Sequence, residues 1–213
     1  MRTARQPSAA LPVSRQRIHD AALRLFGRFG YDGVSLQMLA DEVGLHKSTL
    51  FHHYPSKLDI ALEVFEAALE RVCDILRPLA AHPPRLEDLY ACTDALTDWW
   101  CAEPETAHLL MSFINAATGA ELQTRIPSRA ADLERELFTQ IGSWLARAGK
   151  SGLIRPLHVR QGIVNLVGLV LFYPAVAENL GGGEVAGPGR FSPKAVRIRK
   201  DELRRMLAGM LAP

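Results

Sequence analysis

Most of the features that assign a function at sight are missing from this chain. Cysteine is scarce, with three in 213 residues, at Cys73, Cys92 and Cys101. An odd count without metal-like spacing excludes a disulfide framework and a zinc module, and fits a reducing cytoplasm. No HExxH, no Ser/His/Asp order, no paired carboxylates in an apolar setting and no glycine-rich phosphate loop after a strand is found. His52 and His53 are adjacent, so on a helix they diverge by about 100° and do not chelate one ion. No catalytic residue, metal ligand or cofactor is therefore expected, and the chain is not read as an enzyme. No apolar run of about 18 residues is free of charges and breakers, so no membrane span is expected. The N-terminal arginines are not followed by an apolar segment, so no secretory signal is expected. Strand-like alternation is also lacking, which points to an all-α protein. Net charge is only +2 and does not by itself indicate nucleic acid.

The charge distribution says more. Up to Lys57 there are eight basic residues against four acidic ones, a surplus of four; with the whole chain at +2, the remainder carries −2. A basic head on a mildly acidic body suits phosphate binding by the head.

Residues 35–57, SLQMLADEVGLHKSTLFHHYPSK, carry the clearest local pattern. Leu36, Leu39, Ala40 and Val43 recur at i, i+3, i+4 and i+7, one apolar stripe on a short helix. Ser35 stands where a hydroxyl caps that helix. Gly44 stands where the chain turns left-handed, which glycine does without a Cβ penalty. Leu45 plugs the turn, and a second helix runs from Lys47 to Tyr54 with Leu50 and Tyr54 inward. Ala40 must be small because the second helix crosses it. The opposite face offers Lys47, Ser48, Thr49, His52 and His53, groups suited to phosphate oxygens and base edges. This is the geometry of a helix-turn-helix, whose second helix enters a major groove.

Residues 15–57 resemble the N-terminal domain of the TetR family of bacterial transcriptional regulators. The resemblance rests on Ile18, Ala21, Ala22, Leu25, Phe26 and Gly30-Tyr31, then Leu39-Ala40 and Val43-Gly44-Leu45, then Thr49-Leu50-Phe51-His52-His53-Tyr54 with Ser56-Lys57. It covers about a fifth of the chain. Two positions depart from it. His46 stands where Ser or Thr often caps the second helix, and Phe51 where a Tyr often offers its hydroxyl to a phosphate. The resemblance implies a DNA-binding regulator, more often a repressor, with Ser35, Lys47, Ser48, Thr49, Phe51, His52, His53, Tyr54 and Lys57 as candidate DNA contacts.

Residues 1–13 lack periodicity and are left as a disordered basic tail. Ser14 caps a helix over 15–29 whose core face is Ile18, Ala21, Ala22, Leu25, Phe26 and Phe29. These boundaries divide the chain into a tail (1–13), a three-helix head (14–57) and a helical ligand-binding and dimerisation domain (58–213), about nine helices in all. A long helix from Lys57 to about Ala81 runs from head to body, with Pro78 breaking its last turns. Helices over 85–103, 105–118 and 128–148 follow, separated by Pro104, a loop at 119–127 and Gly149. Arg155-Pro156 opens a helix to about 179 that is apolar nearly all round, so it needs cover on several sides. After a Gly/Pro loop at 180–192, Ser192-Pro193 opens the last helix, 194–211.

The last two helices, about 156–179 and 194–211, are expected to pair with their symmetry mates in a homodimer. That would set two recognition helices about 34 Å apart on a near-palindromic double-stranded operator. Aromatics are only 7% of the chain, yet they gather in the middle helices beside a few polar groups, the composition of a small-molecule pocket. The candidate effector contacts are Trp99, His108, Met111, Phe113, Asn115, Phe138, Trp144, Asn165 and Phe172. Two other readings compete: a thiol-based redox-sensing regulator, and a helical interaction protein without ligand.

Overall fold

The computed structural model describes residues 13–114, 128–176, 189 and 191–212. Nine α-helices occupy the described residues: α1 (Val13–Phe29), α2 (Leu36–Val43), α3 (Lys47–His53), α4 (Lys57–Leu76), α5 (Leu86–Ala102), α6 (Pro104–Ile114), α7 (Ser128–Lys150), α8 (Val159–Val176) and α9 (Pro193–Leu211). No strand is present among them, and the all-α expectation holds. The expected tail (1–12) and loop (119–127), residues 115–118, and most of 177–192 lie outside the described residues.

The head forms as its pattern requires. Ile18, Ala21, Ala22 and Phe26 of α1 pack with Leu39 and Val43 of α2 and Leu50 of α3. Ser35 Oγ accepts a bond from the Met38 amide at 3.1 Å, which caps α2. Gly44 takes φ 66°, and the Leu45 amide behind it reaches the Ala40 carbonyl at 2.9 Å. Phe29, expected in the core face, is instead 47% exposed. It sits in the last turn of α1, past the point where α2 covers the helix, and Arg28 stacks on its ring. The N-cap assigned to Ser14 is also displaced: α1 already begins at Val13.

Helix α4 joins head to body, about 30 Å long at about 1.5 Å per residue. Its first half, Ile60, Ala61 and Val64, belongs to the head cluster, and its second half, Phe65 to Leu76, to the body cluster. Pro78 converts the end into a 3-10 turn over Arg77–Ala80. Helix α6 makes the second junction, because Leu109 is buried in the head cluster while Leu110 is buried in the body. Gly27 of α1 marks how close they lie. A Cβ there would meet the Glu105 carbonyl oxygen of α6 at 2.4 Å, so only glycine fits without a shift.

Two boundaries differ from expectation. Helix α7 runs through Gly149 to Lys150, and the left-handed glycine that ends it is Gly152, at φ 74°. Helix α8 starts at Val159 rather than at Arg155-Pro156. The Arg155 amide is held by the Leu211 carbonyl at 3.1 Å, and His158 provides the first turn's acceptors, its ring nitrogen to the Gln161 amide and its carbonyl to Gly162. A tertiary bond to the end of α9 thus anchors Arg155, and 155–158 stay outside the helix. By length and mean hydropathy of 1.5, α8 is apolar enough to cross a membrane, and 39% of it is buried within the fold. Core helices of soluble proteins meet the same test, and α8 packs against α5, α6 and α7 here. Ser192 Oγ accepts from the Ala195 amide at 3.3 Å and caps α9.

Candidate nucleic-acid interface and effector cavity

The outward side of α3 is built by what lies beneath it. Leu50 is fully buried against α1 and α2. With Leu50 fixed, the helical period turns Lys47, Ser48, Phe51 and His52 to solvent and leaves Thr49 and His53 half-buried. Phe51 is 45% exposed, an unusual cost for a large ring on a surface. His46, the residue before α3, makes no side-chain capping bond, so the first amides of α3 remain open to an outside acceptor. Together these make a short cationic and hydroxyl-bearing ridge of the dimensions a major groove admits.

Two expected contacts are placed elsewhere. Tyr54 is buried, and its hydroxyl donates to Glu63 Oε1 at 2.6 Å and accepts from Arg15 Nε at 3.2 Å. Arg15 also pairs with Glu63 and lies 4.8 Å over the Tyr54 ring. Burial, and then the bond to Glu63, push the phenol pKa up. This triad ties α1, the end of α3 and α4 together. Lys57 is likewise engaged. Its ammonium donates to the carbonyls of Tyr31 at 2.9 Å and Val34 at 3.0 Å and sits 4.0 Å over the Tyr31 ring. Lysine here fastens the α1–α2 loop, at a position where the resemblance implied a DNA contact. Ser35 is exposed, but its hydroxyl is used as the α2 cap.

The body encloses a cavity of about 350 Å³, within the range of small-molecule sites. Its walls come from α4 (Phe65, Leu69, Val72, Leu76), α5 (Leu89, Thr93, Leu96, Trp100), α6 (Leu110), α7 (Glu134, Leu137, Phe138, Ile141) and α8 (Leu166, Val167, Val170, Leu171). Of the expected effector contacts, Phe138 lines it. Trp99 points to another surface, with Nε1 donating to Glu103 Oε2 at 2.9 Å and Arg71 stacked at 4.7 Å. Trp144 is buried in the core and does not line the cavity, nor do His108 and Met111. Asn165 and Phe172 face solvent, with Phe172 52% exposed. Asn115 and the side chain of Phe113 lie outside the described residues. Trp100 and Thr93, part of the aromatic and polar content of the middle helices, line it too, whereas Leu110 and Glu134 were overlooked. A signal existed for the last: Glu134, Leu137, Phe138 and Ile141 stand at i, i+3, i+4 and i+7, one helical face with an acid on it.

The three cysteines are buried. Burial pushes Cys92 up to about 12 and Cys101 up to about 11. Neutral, covered thiols lack the thiolate that redox sensing needs. Among the described residues no cluster of His, Cys, Asp or Glu is arranged to hold a metal.

Residues 18–64 match the family model described as bacterial regulatory proteins, tetR family. These residues form a TetR-type DNA-binding domain. This segment is similar to the transcriptional repressor AcnR of Corynebacterium diphtheriae, at 29% identity over 84 residues, covering 35% of this chain and 44% of that protein. The chain thus spans less than half the length of this relative. Over the whole molecule the fold is similar to that of the ketosteroid transcriptional regulator KstR2 of Mycobacterium tuberculosis, with TM-score 0.73, 17% identity and coverage of 98% and 100% of the two chains. It is also similar to FadR of Bacillus subtilis in complex with stearoyl-CoA, with TM-score 0.65, 14% identity and coverage of 92% and 98%. At these identities the likeness establishes the fold alone.

Proposed function

We propose that this protein is a cytoplasmic, homodimeric DNA-binding transcriptional repressor that leaves a near-palindromic operator when a small, largely apolar effector enters the body cavity. The observation that carries the reading is α3, whose buried Leu50 locks a ridge of Lys47, Ser48, Phe51 and His52 outward, with Thr49 half-buried beside it, within a TetR-type domain. AcnR, similar over the same segment, is a transcriptional repressor.

The dimer rests on α8 and α9. Val164, Phe172, Ile198 and Met206 are 58%, 52%, 51% and 47% exposed on these two helices. Apolar groups gathered on adjoining helices mark an association surface. Gly168 and Gly209 add a second argument. Each lies inside a helix, where glycine costs about 1 kcal/mol relative to alanine, and a Cβ at either would meet open space within the chain. Among the described residues nothing explains them, whereas close approach of a second copy would. An isologous four-helix contact uses each residue twice.

Effector response follows from the two junctions. Helices α4 and α6 each have residues in the head core and in the cavity wall: Val64 and Phe65 on α4, Leu109 and Leu110 on α6. A ligand that wedges the wall apart favours one placement of both helices, and with it one separation of the two heads. DNA affinity then falls by the ratio of ligand affinities for the two states.

The test is selection of bound duplexes from a random-sequence pool, then affinity for the selected duplex against salt. The expected result is a near-palindromic consensus and a log-log slope of about −0.9 per phosphate neutralised. A pool without enrichment and a flat salt response would remove the regulator reading.

A further inference from the structure

The effector cavity carries a chemical asymmetry that narrows what it holds. Its described walls contain one ionisable group, Glu134, and no lysine, arginine or histidine. Glu134 is half-buried, and no hydrogen bond or ion pair engages it among the described residues. The basic residue in the first turn of α7, Arg129, is already engaged by Glu66 and Glu70 of α4. Aromatic rings stand in the same walls: Phe65, Trp100 and Phe138.

Each class of occupant can be weighed against that lining. A carboxylate or phosphate inside the cavity would meet a like charge and no cation, which disfavours it twice. A wholly neutral, apolar ligand would strip the remaining water from the carboxylate without replacing it, and an unpaired buried charge is costly. A cation relieves both problems, since it pairs with the acid and is attracted to aromatic faces. We propose that the cavity takes a lipophilic cation, an amine or ammonium group on an apolar body, with its positive charge beside Glu134. Burial holds the Glu134 carboxyl above its usual range. A bound cation opposes that shift, so the amine binds the ionised form and affinity falls as pH drops toward the carboxyl range.

The inference rests on the reading of this cavity as the effector site, and the test separates the two. Purified full-length protein, without DNA, is titrated calorimetrically with 4-phenylbutylamine, 4-phenylbutan-1-ol and 4-phenylbutyrate at pH 7.5. The expected order is amine, alcohol, acid, with the amine at least about tenfold tighter than the acid, the scale of one half-buried charge pair. Glu134→Gln is expected to cost the amine about tenfold and to leave the alcohol within about threefold. The wild-type order and its loss between pH 7.5 and pH 5 need no variant, so a misfolded Glu134→Gln would not leave the matter open. Equal or tighter binding of the acid, or an amine affinity unchanged in a folded Glu134→Gln protein, overturns the cation site. Release of a selected duplex is measured in parallel. Amine binding without release overturns the effector role and leaves the cation site standing; release by the acid alone does the reverse.

Discussion

Phe172 offers the sharpest test of the association surface. It is 52% exposed on α8. A phenylalanine side chain presents about 150–250 Å², so about 80–130 Å² remains on the protomer surface. Covering that area at about 25 cal/mol per Å² contributes about 2–3 kcal/mol per copy. An isologous interface counts it twice, about 4–6 kcal/mol per dimer, which is an upper estimate because coverage is seldom complete. Phe172→Glu removes the term and places a charge where the partner lies. Since every 1.4 kcal/mol is a factor of ten, the dimer is expected to weaken by about a thousandfold or more. Within the isolated protomer the ring is already half exposed, and the same change is expected to shift stability by no more than about 1 kcal/mol. Sedimentation velocity over a concentration series reads the first quantity, and circular dichroism on the same samples reads the second. A variant that stays dimeric at wild-type affinity refutes the interface. A monomer that has lost helix refutes it too, because Phe172 would then be supporting the protomer's own core.

Three further outcomes are expected. Lys57→Met removes two ammonium–carbonyl bonds in a half-buried site and should lower head stability by about 1–3 kcal/mol; an unchanged melting temperature with weaker DNA binding would return Lys57 to the phosphate contacts. Gly27→Ala forces α1 off the Glu105 backbone and should cost about 1–3 kcal/mol as an overpacked contact; thermal unfolding equal to wild type would mean the two helices part freely. Cys92 and Cys101, raised to about 12 and about 11 by burial, should resist a disulfide reagent at pH 7.5 until the protein unfolds. Because the folded state keeps those protons where the unfolded state loses them, their contribution to stability is present below about pH 9 and declines above it. Rapid native labelling would revive the thiol-sensing alternative.

What was legible in the sequence was whatever depends on neighbours a few residues away. The Ser35 cap, the left-handed Gly44 and the Leu36-Leu39-Ala40-Val43 stripe are local events, and local chemistry decides them. The outward Lys47, Ser48 and His52 follow from Leu50 being inward, a matter of helical period alone. Residues whose surroundings depend on distant partners were not legible. Tyr54 and Lys57 look like groove contacts until Arg15, Glu63 and the carbonyls of Tyr31 and Val34 arrive from other helices. The cavity was the hardest to read, since its wall is shared by five helices and no stretch of chain contains more than one strip of it.

The sequence by itself determined an all-helical chain with a TetR head, because periodicity, capping and turn geometry act over a few residues. Only the tertiary structure decided which aromatics line the cavity, which tryptophan is spent on Glu103, and that Glu134 lies in the wall with Trp100. Those outcomes depend on how helices far apart in the chain rotate against one another, a choice made by the packing of the whole core.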